Sequence, residues 1–496
     1  MLDPKFIPLF VGGFIAWICV MIAVGYFTSK GKNEGSSFLT GGGNLGFFLI
    51  FCTVGATMIG TGSSMGAIGN GYSGGWAGAI YGLGASAGIL AMLLFTKAKN
   101  KGFLTMSEEA QYYYGGKKII RQVMGFMMFV IEIIWLGNHM NGGAQYLAYV
   151  TGMPSLVCKL ITVLGFGIYV FIGGYMAVVT TDAVQFIAIL IGFGLIAIRA
   201  IPMAGGYEAV KAAFTEVGKP GAMSFYGLKN YGIMAAIALV LSTGMGVVGT
   251  PTHRTRIYTS KDESTAKKAF LGQGILLFGW SFVTAIIGMS AFTIAHKNGV
   301  QLEAQNYAFA YMATEVLGPV IGLFFMICGL SATMSSGDSD AISGVTILLT
   351  DVYPSITGKT IDEKDYAKTS RIALVSTLFL AFIITIFVND VISYISTVVG
   401  ALLPGVAVAM LLGKLWKRAN WQGGLACIGS GTILGLFILF IPAFKDWVNA
   451  TMGGAAVPAT IISLVFGVVV SLMFPADDTP EEVRMQNVMN DRRGGK

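Results

Sequence analysis

Apolar runs long enough to cross a lipid bilayer recur along almost the whole chain. A spanning helix needs about 20 apolar residues, because the hydrocarbon core of a bilayer is about 30 Å thick. Runs of this kind, which we number as spans one to thirteen, cover residues 5 to 28, 46 to 72, 74 to 98, 119 to 150, 155 to 175, 177 to 201, 231 to 258, 265 to 297, 317 to 353, 367 to 389, 391 to 412, 421 to 443 and 455 to 475. The sequence therefore predicts an all-α integral protein of the cell (inner or plasma) membrane with about 13 transmembrane helices.

The low charge content supports this prediction. Only 11% of the 496 residues are Asp, Glu, Lys or Arg, whereas soluble domains average about 25%. The five cysteines are scattered, and the three histidines form no HxxxH or HExxH pair. Neither a disulfide framework nor a transition-metal site is indicated. We therefore expect no enzymatic activity, no catalytic residues, no organic cofactor and no nucleic-acid partner.

The basic residues predict how the chain is oriented in the membrane. Lys and Arg accumulate in cytoplasmic loops, and most of the 32 such residues fall on one side if the N-terminus is outside. Among them are Lys117, Lys118 and Arg121 near the start of span four and Arg254 and Arg256 at the end of span seven. We predict an outside N-terminus and a cytoplasmic C-terminus, which also explains the net charge of +7.

Two glycine-rich spans predict an internal inverted repeat. Span two contains TVGATMIGTGSSMGAIGNGY, and span seven, five spans later and in the opposite direction, contains LSTGMGVVGTP. In many transporters Gly or Pro breaks corresponding helices of two inverted repeats, and the binding site lies at the breaks. Broken backbone is tolerated at membrane depth only where it faces protein or water. The alternative is that these glycines are close-packing contacts between continuous helices.

This pattern divides the chain into six parts. They are 1–45, an extra N-terminal helix and first cytoplasmic loop; 46–201, the first five-helix repeat; 202–230, an extracellular connection; 231–413, the second, inverted five-helix repeat with a cytoplasmic loop at 354–366; 414–475, two additional C-terminal helices; and 476–496, a cytoplasmic tail.

Span nine carries the densest set of polar residues, between 331 and 340. Ser335, Asp338 and Ser339 have the spacing of one helical face. Hydroxyls, a carboxylate and backbone carbonyls are oxygen ligands suited to a hard cation such as sodium, and broken span two offers carbonyls near Gly55. The alternative is that the hydroxyls bond to carbonyls one turn earlier while the two aspartates face cytoplasmic water.

Two further acids lie inside predicted spans. Asp182, near the start of span six, is either a helix cap or a cation ligand. Glu132 shares a helical face with Trp135 and His139, so an anion lies beside an aromatic ring, which suits a cationic group. The alternative for Glu132 is a carboxyl group hydrogen-bonded between helices.

Four separated motifs resemble the sodium:solute symporter family, which includes proline, pantothenate, sialic acid, glucose and choline carriers. They are FLTGG, YMAVVTTDAVQF, GTPTHRTRIYTSKDESTAKKA and GLSATMSSGDSDAISGVTILLTDVY. The resemblance covers spans two to eleven. The segments MSSGDS and GFLTMSEEAQYYYG, with Glu132 and Trp135 as an ExxW pair, resemble the high-affinity choline transporter branch. Of that branch's aromatic cage only Trp135 is present, because the other two tryptophan positions hold Met58 and Thr250.

The resemblance implies a LeuT-like five-plus-five inverted repeat that functions as a monomer. The shared sodium site of the family corresponds to Gly55, Met58, Ala332, Ser335 and Ser336. A second sodium site corresponds to Asp182, Ser335, Asp338 and Ser339. The acid that proline-type members carry on broken span two is Thr57 in this chain, which weighs against a proline-like arrangement.

These observations predict a secondary active transporter that couples sodium to the uptake of a small polar solute by alternating access. The solute classes that fit are amino acids, organic cations and organic acids. The expected solute-binding residues are Thr57, Gly60, Thr61, Gly62, Ser63, Glu132, Trp135 and Thr250. The main alternative is a proton-coupled symporter of the same fold, in which Asp182 or Asp338 titrates. A channel or a membrane enzyme is less well supported, because neither a filter repeat nor a catalytic pair is seen.

Overall fold

The computed structural model describes residues 3–31, 35–387 and 399–493, and these residues are almost entirely helical. Their one β feature is an isolated parallel bridge between Leu45 and Ser260. The first part of predicted span eleven, and the last residues of span ten, lie outside the described residues.

In the described chain up to residue 231, ten α-helices follow one another. They are α1 Ile7–Ser29, α2 Ser37–Thr40, α3 Phe47–Met58, α4 Ala67–Gly74, α5 Ala79–Ala91, α6 Met106–Tyr113, α7 Lys118–Thr151, α8 Ser155–Met203, α9 Tyr207–Glu216 and α10 Leu228–Tyr231. A 3-10 segment, Met92–Lys101, prolongs α5.

The rest of the described chain contains twelve more α-helices. They are α11 Ile233–Gly249, α12 Pro251–Thr259, α13 Glu263–Lys297, α14 Ala308–Tyr311, α15 Pro319–Ile347, α16 Tyr353–Thr357, α17 Glu363–Ile386, α18 Gly400–Leu415, α19 Trp421–Phe440, α20 Pro442–Met452, α21 Ala456–Met473 and α22 Glu481–Arg492.

Within the described ranges, 9 helices are long and apolar enough to cross a membrane, or up to 10 if one bent pair counts as a span. The predicted count of about 13 is higher, partly because spans five and six follow each other within one element of 49 residues, α8, that is broken at Gly174. Gly174 has φ 56° and ψ −149° inside it, a conformation open mainly to glycine. The chain therefore turns there without a loop, and the count of 13 stays a prediction.

Both predicted helix breaks are present. Helix α3 ends at Met58, and a π-helical turn, Gly62–Gly66, precedes α4. Helix α11 ends at Gly249, Thr250 is extended, and Pro251 begins α12. Proline suits a first helical position because it has no N–H to bond and its φ is already helical.

Helix α15 lies in the interior of the bundle and packs against α7 and α8, while α13 packs against α5, α4 and α3. Every residue from 331 to 346 is buried, although many are polar. A helix that is buried all round, rather than on one stripe, belongs to the centre of a protein. The polar residues of span nine therefore face other helices rather than water or lipid.

Two groups of residues that the sequence places on the cytoplasmic side are packed into the bundle. Arg254 and Arg256 are both 0% exposed and lie within α12. The tail after residue 475 forms the helix α22, which packs against α6 and α7 with Val488 fully buried.

Candidate functional site

Two serines of α15 contact the carbonyl end of α3 at the first helix break. Ser335 Oγ donates to the carbonyl of Ala56 at 3.0 Å, and Ser336 Oγ donates to that of Thr57 at 2.9 Å. Each hydroxyl also lies near a carbonyl one turn earlier in its own helix, at 2.9 and 3.3 Å. Each hydroxyl therefore lies close both to a carbonyl of its own helix and to a carbonyl of the broken helix. The two alternatives given for these serines are both present in this geometry.

The other residues of the predicted shared sodium site lie nearby. The carbonyl of Gly55 accepts the N–H of Ile59 at 2.9 Å, and the carbonyl of Met58 accepts the hydroxyl of Ser63. Gly60 permits the close approach of the helices, since a Cβ there would lie 2.4 Å from Ser336 Oγ. Uncharged hydroxyl and carbonyl oxygens are a donor set that fits a hard monovalent cation.

A buried arginine lies among the residues of the predicted second sodium site. Arg256 Nη2 donates to Ser339 Oγ at 2.5 Å and to Thr57 Oγ1 at 3.0 Å. The same nitrogen lies 3.6 Å from Asp182 Oδ2. The sequence gives no signal for this contact, because its partners are distant in the chain.

Two acids lie in this part of the bundle, and Asp182 is the one that pairs with Arg256. Asp182 Oδ2 accepts the hydroxyl of Thr53 at 2.5 Å, and Asp338 Oδ2 accepts that of Tyr169 at 2.6 Å. The Oδ1 atoms of both aspartates are buried and have no hydrogen-bond partner among the described residues. Since one guanidinium compensates one carboxylate, the pair of acids retains the capacity for one further cation.

A cavity lies between the two helix breaks. Six of the eight expected solute-binding residues line it, namely Thr57, Gly60, Gly62, Ser63, Trp135 and Thr250. Thr61 and Glu132 do not line it and are fully buried. The lining also includes Tyr81, His139, Ser242, Thr243, His253 and Asp340.

Glu132 and Asp340 meet at one hydroxyl. Thr252 Oγ1 lies 2.7 and 2.8 Å from the two carboxyl oxygens of Glu132 and 3.0 Å from Asp340 Oδ1. Glu132 Oε1 also accepts the N–H of Thr252 at 3.0 Å and the hydroxyl of Ser343 at 2.8 Å. Glu132 is therefore hydrogen-bonded between helices, while Asp340 is the acid that lines the cavity.

His139 connects this acid to the first helix break. Its Nε2 lies 3.3 Å from Asp340 Oδ2, and its Nδ1 lies 3.0 Å from Thr61 Oγ1. Because a carboxylate can only accept, a neutral His139 donates through Nε2 and accepts the Thr61 hydroxyl at Nδ1. The ring stacks on the indole of Trp135, with centroids 6.2 Å apart, and Trp135 donates to Thr250 Oγ1 at 3.1 Å.

The sequence carried a signal for only some of the missed residues. Asp340 is one turn after Ser336, so helical spacing alone would place it on the same face. His253 is three residues after Thr250, at the start of α12. Ser242 gave no signal beyond being a polar residue in an apolar span.

A separate group of buried charges, which we call the tail cluster, lies beside α22. Its members are Glu108, Glu109, Arg121, Arg254, Asp351 and Arg492. Arg121 bonds Glu108 at 3.1 Å and Asp351 at 2.8 Å. Arg254 lies 3.2 Å from Glu109, and Arg492 of α22 donates through Nε to Glu108 at 2.8 Å.

The position of Glu108 shows how this cluster is balanced. Burial alone raises the pKa of Glu108, but the hydrogen bond from Arg492 and the charges of Arg121 and Arg492 outweigh burial. The pKa of Glu108 therefore lies below its ordinary value of 4.5. The carboxylate stays ionised in the folded protein and holds the C-terminal helix against α6.

Comparison with known proteins gives a consistent match. The model of the family described as "Sodium:solute symporter family" matches residues 38–435. The osmoregulated proline transporter OpuE of Bacillus subtilis (strain 168) is 22% identical, covering 92% of this chain and 93% of its own. The sodium/pantothenate symporter of Haemophilus influenzae is 28% identical, covering 61% of this chain and 63% of its own. These relatives give no support to the expected choline branch.

The fold is also that of solved transporters. A Na+-coupled sialic acid symporter in a substrate-bound outward-open state aligns with a TM-score of 0.78 at 16% identity, covering 94% of this chain and 98% of the other. MhsT in complex with L-phenylalanine aligns with a TM-score of 0.54 at 15% identity, covering 86% and 98%. The chain thus has the LeuT-like fold that the sequence predicts.

Proposed function

This chain belongs to the sodium:solute symporter family, and from that premise we propose which residues bind sodium and where the solute binds. The chain is a multi-pass protein of the plasma membrane that couples sodium to the symport of small solutes, and it is not an enzyme. Its coupling ion is sodium.

We propose that a transported sodium ion binds between α3 and α15, with Ser335 and Ser336 as hydroxyl ligands. Carbonyls of Gly55, Met58 and Ala332 complete the set. The observation that supports this site best is the pair of serine hydroxyls directed at the last carbonyls of α3, at 3.0 and 2.9 Å. An ion there joins the broken helix to α15, so its binding favours one arrangement of the two elements over others.

We propose a second cation position at Asp182, Ser335, Asp338 and Ser339. The two unpartnered carboxylate oxygens support it, because buried polar atoms are normally hydrogen-bonded or ligated. Arg256 already compensates one of the two acids. A sodium ion bound to Asp338 would compensate the other.

The solute binds in the cavity between the two breaks, beneath the bend of α11 and α12 and beside Trp135. The lining combines small residues, which let a ligand contact backbone, with hydroxyls and rings. A small amino acid, organic cation or organic acid fits this description. All proposed ligands come from one chain, so a monomer suffices for transport.

The energetics are adequate for uptake. A tenfold sodium gradient and a membrane potential of about 100 mV supply about 3.7 kcal/mol per ion. That free energy supports about 500-fold accumulation of a neutral solute.

The sodium site can be tested by melting the purified protein in sodium and in potassium chloride at equal ionic strength. Ligands that bind only the native state raise its stability, by about 2.7 kcal/mol at a hundredfold excess over Kd. We expect a sodium-specific rise in Tm for the wild type and its loss in Ser336→Ala. Thr346→Ala, which removes a buried hydroxyl two to three turns away on α15, is the matched control and should keep the rise.

Two outcomes would contradict this site. An equal rise in Ser336→Ala would place sodium elsewhere. No rise in the wild type at saturating sodium would oppose sodium coupling as proposed and would favour the proton-coupled alternative.

A further inference from the structure

We propose that Asp340 selects solutes that carry a protonated amine, and that its carboxylate binds the ammonium group within the central cavity. The inference rests on the proposed function in one respect, since it takes this cavity as the solute site. It adds the chemical class of the solute and the residue that recognises it.

Asp340 is the acid that a ligand in the cavity would meet. Its side chain lines the cavity and the residue is 3% exposed. Glu132, the acid expected from the sequence, does not line the cavity and is 0% exposed. Thr252 and Ser343 already donate to Glu132, so we assign it a positioning role behind Asp340.

The negative charge of this pair is not compensated by the residues around it. Thr252 has a single hydroxyl proton, so it cannot donate to Asp340 and Glu132 at once. Among the described residues, neither acid forms an ion pair with Lys or Arg; Asp340 contacts the hydroxyl of Thr252 and the ring of His139. A buried carboxylate without a countercharge is costly at membrane depth, so the site favours a cationic ligand.

Two unpartnered polar atoms in the same cavity independently indicate a polar ligand. Among the described residues, Ser242 Oγ and His253 Nδ1 have no hydrogen-bond partner, although the two residues are only 3% and 6% exposed. Both residues line the cavity with Asp340. Because buried polar atoms are normally paired, these two atoms are available for polar groups of a solute.

The chemistry of the lining favours an ammonium group over the other candidates. Ammonium N–H groups donate to the acceptor-only oxygens of Asp340, which gives a strong charge-assisted bond. The indole of Trp135 lies beside the acid and can stabilise the same cation through its ring face. An organic anion without an amine would be repelled, and a polyol would leave the charge uncompensated.

The test uses pairs of probes that differ in the amine alone. L-alanine is paired with L-lactate, and L-proline with tetrahydrofuran-2-carboxylate. Binding is followed by thermal stabilisation in sodium buffer, and transport by uptake into proteoliposomes with an inward sodium gradient. The variants are Asp340→Asn, which keeps the shape, and Asp340→Glu, which keeps the charge.

We expect at least one amine-bearing probe to bind and enter, and its partner without the amine to bind at least about tenfold more weakly, as expected for loss of a buried charge-assisted contact. Asp340→Asn should weaken the binding of that probe at least about tenfold, and Asp340→Glu should retain part of the wild-type affinity. Both variants should keep the sodium-dependent rise in Tm. If the wild type itself showed no sodium-dependent rise in Tm, that result would contradict the proposed function rather than the role of Asp340.

Three results would overturn the inference while the sodium response persists. The first is equal binding of an amine-bearing probe and its partner without the amine, or no binding of any amine-bearing probe. The second is unchanged amine affinity in Asp340→Asn. The third is uptake of the anionic probes driven by an imposed pH gradient in the wild type and lost in Asp340→Asn, which would make Asp340 a proton site.

Discussion

The tail cluster and the middle of the bundle both contain fully buried acids, but they differ in how those acids are compensated. In the tail cluster, Glu108, Glu109 and Asp351 lie against Arg121, Arg254 and Arg492, so acids and arginines are equal in number. In the middle, the described residues hold four acids, Glu132, Asp182, Asp338 and Asp340, and a single arginine, Arg256.

The difference separates a structural cluster from a transport site. Where acids and arginines balance, breaking one pair leaves an isolated buried charge and destabilises the fold. Where acids exceed arginines, the excess charge is costly until cations from outside bind. We infer that the middle of the bundle gives up stability in order to bind sodium and the cationic group of the solute.

Removing an arginine from the balanced region should have the largest effect. Arg121→Met leaves Glu108 and Asp351 without their shared partner, and we expect a loss of about 3–5 kcal/mol in the free energy of unfolding. Denaturant titration of the detergent-solubilised protein measures this loss. Lys118→Met is the control, because the ion pair of Lys118 with Asp491 is 3.8 Å long and its side chain is 59% exposed. Similar stabilities for the two variants would break the comparison.

The same substitution in both regions sharpens the comparison. Asp351→Asn breaks a 2.8 Å ion pair and should cost about 3 kcal/mol. Asp338→Asn removes charge where acids are in excess, so stability in sodium-free buffer should stay within about 1 kcal/mol of the wild type or rise, as at other functional sites. Thermal melting in potassium buffer compares the stabilities of the two variants with that of the wild type. A cost for Asp338→Asn equal to that of Asp351→Asn would show that excess charge is not what distinguishes the middle.

The smallest expected effect is the release of α22 at acid pH. The pKa of Glu108 is depressed, so its contribution is present above the ordinary value of 4.5 and is lost as the pH falls through the lower value in the folded protein. Energy transfer between labels at the exposed Glu482 and Lys117 should therefore decrease below that pH. Glu108→Gln should remove the transition. A transition centred near neutral pH would assign the docking to another group.

The features predicted correctly are those encoded by local pattern. Gly and Pro mark both helix breaks within a few residues, and Ser335 and Ser339, four residues apart, lie on the face of α15 that contacts α3. Local spacing also indicated an acid near Trp135. Each of these patterns is contained within a single helix, so it can be recognised without knowing how the helices pack.

The features missed depend on contacts between distant segments. Arg256 lies in a charged, loop-like sequence, and its partner Asp182 is 74 positions earlier, so sequence alone suggested a cytoplasmic loop. Whether Glu132 or Asp340 faces the cavity depends on the rotation of α7 relative to α15. The tail looked like a polar extension because α22 buries little except Val488, and its docking depends on charges of α6 and α7.

The most direct test of the account is equilibrium binding of radioactive sodium to the purified protein. We expect saturable binding in the wild type, strong loss in Ser336→Ala, reduced binding in Asp338→Asn, and no change in Arg492→Gln, which alters the balanced tail cluster alone. Absence of saturable sodium binding, or equal binding in all four proteins, would contradict the claim that uncompensated acids and the α15 serines form the cation site.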